Sequence, residues 1–546
     1  MLVSSYTFVS LNLNSIHMKK TIFTLLYSLM AVVVMAGGIV TNTNQSASFI
    51  RNPARDASLG IDAAYFNPAG LSFLQDGFHL SLNNQFVTQL RHIQTSFPGL
   101  NTSEFEGPVS APLFPSAYAV YKKNKFAFAL GFNPIGGGGS AKYEDGLPSF
   151  EMQVASLPAA LSAAGIPTSG YSFDTEFEGS SIYYGLQAGI SYQLSDIVAV
   201  SIGARYVMID NKYEGYLRDI KINPVFPVLG YSGSMVSAPS FFTNMAGLFQ
   251  GLAGVAGMLQ PLVDGGGANL TLEQAQSMGY LTAEQVASIA GGFAMIDPQI
   301  DPMMLNIAQI QGAYTAATPA FQQQQIAMNA NAEATGDKQV DATQSGTGVV
   351  PFIGVALNFE KVNFGIKYEH KAAIKIKNDT KRDDVGMFPD GAEIPSDIPG
   401  LLTLGLSYRP TDRITLSAGY HTYFDKAANY GKMLDGKYVE NKEVIAHNLW
   451  EFAFGIDFWV SEKFMLSAGY LVTETGATKA YQSDLNHSLS TFSFAGGLLF
   501  RATEKIDLNL GALRTFYSPT VKNFGSYGET YSRKSLSLAI GIDFHF

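Results

Sequence analysis

Histidine is the side chain best suited to proton transfer and metal binding near neutral pH, and this chain has eight. His79, His92, His370, His421, His447, His487 and His545 are scattered one per segment, without metal-ligand spacing and without a Ser/His/Asp grouping. No Gly-x-Ser-x-Gly elbow occurs. We therefore expect no catalysis, no metal and no cofactor. Another kind of chemistry is invited by charges set inside otherwise apolar segments: Arg205, Lys367, Glu369, Glu451 and Asp457. Successive side chains of a strand alternate between faces. Each of these charges falls opposite the apolar register, as Arg205 does against Val200 and Ile202. A cation such as Arg205 or Lys367 could then receive a ligand carboxylate. The same charges could instead solvate a channel or tie down a plug.

The elements that must position them are strands of an unusual kind. From Ser535 to Phe546 the chain alternates to its last residue. Leu536, Leu538, Ile540, Ile542, Phe544 and Phe546 share one face, and Ser535, Ser537, Ala539, Gly541, Asp543 and His545 the other. A membrane barrel turns the greasy face to lipid and keeps the inner face polar or small. About fourteen such segments lie between 77 and 546. Short joints, among them Ser195-Asp196, Glu360-Lys361 and Ser461–Lys463, alternate strictly with long ones at 94–112, 136–180, 218–348, 377–399, 425–444, 475–487 and 518–532. Short periplasmic turns and long external loops produce that order. The expected fold is all-β: a membrane β-barrel of about fourteen antiparallel strands over residues 77–546. The pentapeptide Leu416-Ser417-Ala418-Gly419-Tyr420 recurs at Leu466-Ser467-Ala468-Gly469-Tyr470, which we read as hairpin repetition.

Composition agrees. Of 546 residues none is cysteine, so disulfides and a lipidated N-terminal cysteine are excluded. Tyr (27) and Phe (38) far outnumber Trp (2), which suits aromatic girdles at the membrane interfaces. The formal charge of −10 argues against nucleic acid as a partner. No apolar run approaches the 20 or so residues of a membrane helix. Met18-Lys19-Lys20, apolar Ile22 to Met35 and then Ala36 have the form of a secretory signal over 1–36, implying Sec-type export to the outer membrane. Residues 1–17 precede that second methionine, as they would after a mis-called start. A membrane anchor is the alternative, for which the run is short.

Residues 37–76 lack strand alternation, and forty residues are too few for a domain. Phe49, Ile50, Leu59, Ile61, Tyr65 and Phe66 are more than a disordered tail needs, so a plug inside the barrel is expected. Within this segment, Asp62-Ala63-Ala64-Tyr65-Phe66-Asn67-Pro68-Ala69-Gly70-Leu71 resembles the hatch motif of the FadL family, outer-membrane transporters of long-chain fatty acids and other hydrophobic compounds. The matching element is Asn67-Pro68-Ala69; a second copy, Asn52-Pro53-Ala54, is read as incidental. The resemblance covers the chain after the signal. It implies passive uptake, with ligand caught outside, passed to a lumen pocket and released sideways at an inward kink of the third strand. In this sequence the third strand runs into Asn133-Pro134-Ile135-Gly136-Gly137-Gly138-Gly139. Proline removes a ladder donor and glycine weakens pairing, so a bulge or break is expected there. A flexible loop start is the plainer alternative.

The loop 218–348 is far longer than a usual connection. Phe241, Met245, Leu248, Leu252, Val255, Leu259 and Leu262 recur at helical spacing. Thr271 with Gln274 and Thr282 with Gln285 form capping boxes, and Pro319 suits a helix start. The stripe could be an external capture groove, as the resemblance implies for this location, or it could only pack helices together.

A general porin for polar solutes is the main rival, although it needs neither a hatch nor apolar external helices. A barrel enzyme lacks its motifs, and a TonB-dependent receptor needs a larger plug. The expected partners are the lipid bilayer, a hydrophobic small molecule such as a fatty acid, and the barrel-assembly machinery through the C-terminal strand ending in Phe546.

Overall fold

Period-two alternation becomes fourteen long strands in the computed structural model, which describes residues 46–434 and 436–546. They are β1 (Gly77–Thr95), β2 (Glu104–Lys123), β3 (Phe126–Tyr143), β4 (Thr168–Gln193), β5 (Val198–Phe226), β6 (Lys338–Asn358), β7 (Val362–Glu369), β8 (Leu401–Thr411), β9 (Ile414–Tyr423), β10 (Leu449–Trp459), β11 (Phe464–Glu474), β12 (Thr491–Thr503), β13 (Ile506–Tyr517) and β14 (Gly528–His545). Neighbours pair antiparallel. β14 closes the barrel on β1, from His79↔His545 to Thr95↔Glu529. Phe128, Leu130, Ile202, Ile353, Phe454 and Phe494 are exposed on the outer surface. Ser81, Asn83 and Gln85, on the opposite face of β1, are buried. That sidedness is what a bilayer requires of a barrel wall, whose outer face meets hydrocarbon while its inner face stays polar or small.

Several strands run past their expected limits. β2 starts at Glu104, and its extension exposes Glu104, Glu106 and Ser110 while burying Phe105 and Val109. Alternation persists there with the polar face outward, so an apolar outer face no longer marks it. The segment expected at 362–376 is broken. β7 ends at Glu369, and the chain resumes as Lys375–Asp383, paired with the extension of β6.

Residues 46–76 lie in the lumen as two short helices, Ala47–Arg51 and Ala63–Phe66, and a 3-10 turn, Pro68–Phe73. Phe49, Ile50, Ile61, Tyr65, Phe66 and Leu71 join wall residues such as Tyr118, Ile135, Val207 and Leu513 in one apolar cluster. Phe49 stacks on Phe66 at 5.4 Å. Burial of this apolar surface holds the plug. The expected signal over 1–36 and the first hatch residues fall outside the described residues.

The chain divides into two units, and all of the above belongs mainly to the one formed by 46–149, 175–216 and 339–546. The other comprises 150–174 and 217–338. There the helices Ala238–Leu262 and Ile307–Ala334 pack on each other. The capping boxes at Thr271 and Thr282 both form. A third, at Asn306 with Gln309, was not anticipated and starts the last helix early. Pro319 therefore lies inside that helix instead of starting one. Two residues beyond the proline, Phe321 packs against Phe249 and Tyr314. The helical stretch Ala238–Gly267 is also long and apolar enough to cross a membrane by length and composition, which contiguous apolar runs did not reveal.

Candidate functional site

The hatch can reach the wall because the wall has glycines where the two meet. Gly365, Gly405, Gly419, Gly455, Gly469, Gly497 and Gly511 lie on successive strands from β7 to β13, and Gly405 pairs with both Gly365 and Gly419, Gly455 with Gly469, and Gly497 with Gly511. A Cβ on Gly365 would stand 2.0 Å from the Asp56 carbonyl oxygen, and one on Gly455 1.8 Å from Asn52 Oδ1. On Gly469 it would meet Pro53 at 2.4 Å. The recurring Leu-Ser-Ala-Gly-Tyr segments thus supply two glycines of this belt. Asn52-Pro53-Ala54 is accordingly no incidental copy: Asn52 donates to Asp457 at 3.1 Å and Pro53 packs on the belt.

Polar contacts then fix the hatch. Arg51 binds Asp457 at 2.9 Å and Asn509 at 3.2 Å. The amide N–H of Ala47 donates to Asn83 at 2.8 Å. Asp56 lies 2.8 Å from His421 Nε2, whose other ring nitrogen lies 2.8 Å from Glu451. Within the hatch, Arg55 grips Asp62 through two contacts of 2.7 and 2.9 Å. Burial disfavours charge on both partners, but their mutual attraction more than offsets it, so Asp62 is held below its usual range and Arg55 above.

The motif Asn67-Pro68-Ala69 packs against β4 to β7. Asn67 donates to the Ser58 carbonyl at 3.1 Å, Pro68 opens the 3-10 turn and accepts from Ser191, and Ala69 packs with Ala199 and Ala356. Gly70 is required beside it, because a Cβ would come within 2.6 Å of both Asn67 and the Ser58 carbonyl.

Arg205 and Lys367 face the lumen as alternation predicts, but they are not open seats for a carboxylate. Arg205 forms a bidentate pair with Glu369 at 2.6 and 2.8 Å and also donates to Gln187. Lys367 donates to the Tyr65 carbonyl at 2.7 Å and pairs with Glu369 at 2.8 Å. Both cations lie over the Tyr65 ring, at 4.7 and 4.9 Å. They tie the plug to the wall, the plainer of the two expectations.

Beside the hatch the wall is incomplete. β2 and β3 pair from Ala117↔Phe132 to Lys123↔Phe126 and again only at Val109↔Ala141. Among the described residues, Ser110 to Ser116 and Asn133 to Ser140 lack partners across this gap. β3 keeps its pairing to β4 through bulges at Pro134/Gly136 and Gly137/Gly139. Gly137 has φ +91°, and a Cβ there would stand 2.0 Å from the Ser181 carbonyl oxygen, so only glycine fits. The opposite edge carries a signal that sequence inspection missed: Pro112 and Pro115 remove two donors from β2. Asn133 and Ile135 reach the hatch, Asn133 by a hydrogen bond to Tyr65 and Ile135 through the shared apolar cluster.

A lumen cavity of about 320 Å³ connects these parts. Phe49 and Ile50 of the hatch, Gly137 and Gly139 of the kink and the roof loop Leu485–Leu489 all line it.

The expected capture stripe is not open. Phe241, Met245, Leu252, Val255 and Leu259 are buried, and Leu248 is half-buried. The neighbouring Phe249 meets Phe321 of the facing helix at 6.2 Å. Helical spacing marks the face that an apolar helix buries, and here that face packs against another helix.

No protein-family model matches this chain, and no curated protein does. Solved structures do resemble it. A Pseudomonas aeruginosa FadL homologue aligns over 93% of this chain and 100% of its own, at 12% identity and a TM-score of 0.55. The Ralstonia pickettii toluene transporter TbuX aligns over 92% and 99%, at 12% identity and a TM-score of 0.47. The Pseudomonas putida toluene transporter TodX aligns over 93% and 100%, at 15% identity and a TM-score of 0.49. The first establishes the fold: a FadL-type fourteen-strand barrel with an internal N-terminal hatch, which is an outer-membrane architecture.

Proposed function

We propose that this chain is an outer-membrane channel that takes up hydrophobic compounds, long-chain fatty acids among them, by passive diffusion. Ligand enters from the outer side, occupies the cavity above Phe49 and Ile50, and leaves sideways between β2 and β3 into the membrane. The observation that carries this reading is the unpaired stretch of wall beside a plugged lumen. A plug at the glycine belt obstructs a straight path to the periplasm, whereas the gap opens next to the cavity wall at Gly137 and Gly139. A general porin has no use for either feature. In this reading 1–36 is the export signal, 37–76 the hatch, 218–348 an extracellular insertion, and Phe546 the terminal aromatic read by the assembly machinery.

The test is to lock the gap. A Cβ built on Gly139 would lie 3.9 Å from that of Ala111, within disulfide range, and the chain has no other cysteine. Ala111→Cys with Gly139→Cys should abolish uptake of a radiolabelled fatty acid by whole cells when oxidised and restore it on reduction. Full uptake by the oxidised protein rules out the sideways path.

A further inference from the structure

His79 on β1 and His545 on β14 are directly opposed across the seam that closes the barrel. Their Nδ1 atoms stand 3.0 Å apart, and the rings meet edge to face with centroids at 5.2 Å. The other nitrogen of each ring already has a neighbour. His79 Nε2 lies 2.9 Å from the Gln75 carbonyl oxygen, which can only accept. That nitrogen therefore carries the hydrogen, and His79 Nδ1 keeps its lone pair. His545 Nε2 faces the Asp507 carboxylate at 3.8 Å. A hydrogen on Nε2 suits that neighbour and leaves a second lone pair on His545 Nδ1. A hydrogen on Nδ1 instead would turn a bare Nε2 towards a carboxylate. Two lone pairs at this distance repel unless a cation lies between them. The surroundings favour a doubly charged one. Asp507 and Asp543 are directly opposed on β13 and β14, and like charges so placed repel. Arg501 reaches Asp507 only at 3.4 Å, and the donor to Asp543 on β13 is the neutral Asn509.

We propose that His79 and His545 bind a transition-metal dication of the zinc type through their Nδ1 atoms. Imidazole suits such ions. The Gln75 carbonyl and the Asp507 carboxylate are the outer partners towards which ligating histidines usually turn their second nitrogen, and they aim both rings. Zinc binds nitrogen at about 2.0–2.1 Å, which sets two ligands roughly 3.3 Å apart at the tetrahedral angle. The two rings need to open by only about 0.3 Å to reach it. Among the described residues no third imidazole or carboxylate completes the set, so water would fill the remaining positions. The His545 side chain is 34% exposed, which leaves room for it. The bound ion would staple the last strand to the first, beside the end of the hatch at Gln75. Spacing along the chain points to no metal because 466 positions separate the two ligands, and only closure of the barrel brings them together.

The test uses the full-length protein in detergent, purified without a histidine tag. Calorimetric titration with Zn2+ should show one saturable site. Saturation should raise the temperature at which heat-dependent gel mobility reports opening of the barrel, because the ion binds only the closed seam. His79→Gln and His545→Gln should each weaken Zn2+ binding at least tenfold and abolish that rise. His370→Gln, at an exposed histidine, should leave both unchanged. Electron paramagnetic resonance of the unaltered protein with one equivalent of Cu2+ should show coupling to two nitrogens, a readout that needs no variant to fold. Absence of saturable Zn2+ binding, affinity unchanged in both seam variants, or coupling to a single nitrogen overturns the proposal. A proton alone then bridges the pair.

Discussion

Asp56 Oδ1 of the hatch lies 2.8 Å from Nε2 of His421 on β9, and His421 Nδ1 lies 2.8 Å from Glu451 on β10. With an acceptor at each ring nitrogen, both nitrogens must carry hydrogen, so the imidazole is held as a cation between two carboxylates. This buried histidine is therefore a clamp on the plug, which scattered spacing in the sequence could not suggest.

Removing one member of a buried charged set leaves the others uncompensated, at a cost of about 3–5 kcal/mol. His421→Phe should therefore loosen the hatch. Ion conductance in planar bilayers should rise well above that of the parent channel. Unchanged conductance means that the plug is held without this clamp.

The glycine belt makes a graded prediction. Gly365→Ala and Gly455→Ala place a methyl within 2.0 Å of hatch atoms, whereas Gly496→Ala meets nothing nearer than Ser467 O at 3.7 Å. Overpacking costs about 1–3 kcal/mol. The first two variants should lower the thermal midpoint and expose the hatch to protease. Gly496→Ala, on neighbouring wall, should behave as the parent.

Asn67→Ala with Pro68→Ala removes the Ser58 contact and the fixed φ that opens the 3-10 turn. Uptake of hydrophobic ligand should change while the barrel still assembles. Normal uptake by this pair dismisses a gating role for the motif.

Leu248→Ser, Leu252→Ser and Val255→Ser, combined, should now act on stability alone. Fully burying one such side chain is worth about 1.5–3 kcal/mol. The helix pair should become protease-sensitive, with ligand affinity unaltered. A selective loss of affinity would restore the stripe as a capture site.

Asp425, just beyond β9, is buried. Burial pushes its carboxyl up to about 6, although it accepts from the Leu449 amide. A carboxyl raised above its unfolded value stabilises the fold as pH drops from about 6 to about 4, and is a liability above 6. Asp425→Asn should therefore slow hydrogen exchange in the loop 424–448 at pH 7.5. The difference from the parent should vanish near pH 4.

Alternation determined the barrel and the lumen side of its regular strands, because side-chain direction in an unbulged strand depends only on residue parity, and the plug was legible from apolar residues in a segment without alternation. Parity put Arg205 and Lys367 inside the wall, yet it could not show that both are already paired. Arg205 is neutralised by Glu369, 164 residues away. Arg91 meets Arg533 only because the last strand closes on the first. The same holds for the repeated Ala-Gly-Tyr segments, whose glycines are explained by a hatch that approaches from far along the chain. For the apolar helix stripe, spacing showed which face is greasy, and the facing helix determined that it is covered. Local periodicity records what one residue does relative to its neighbours. Which charge is left unpaired, and which greasy face is left open, depends on partners that only tertiary packing brings within a few ångströms.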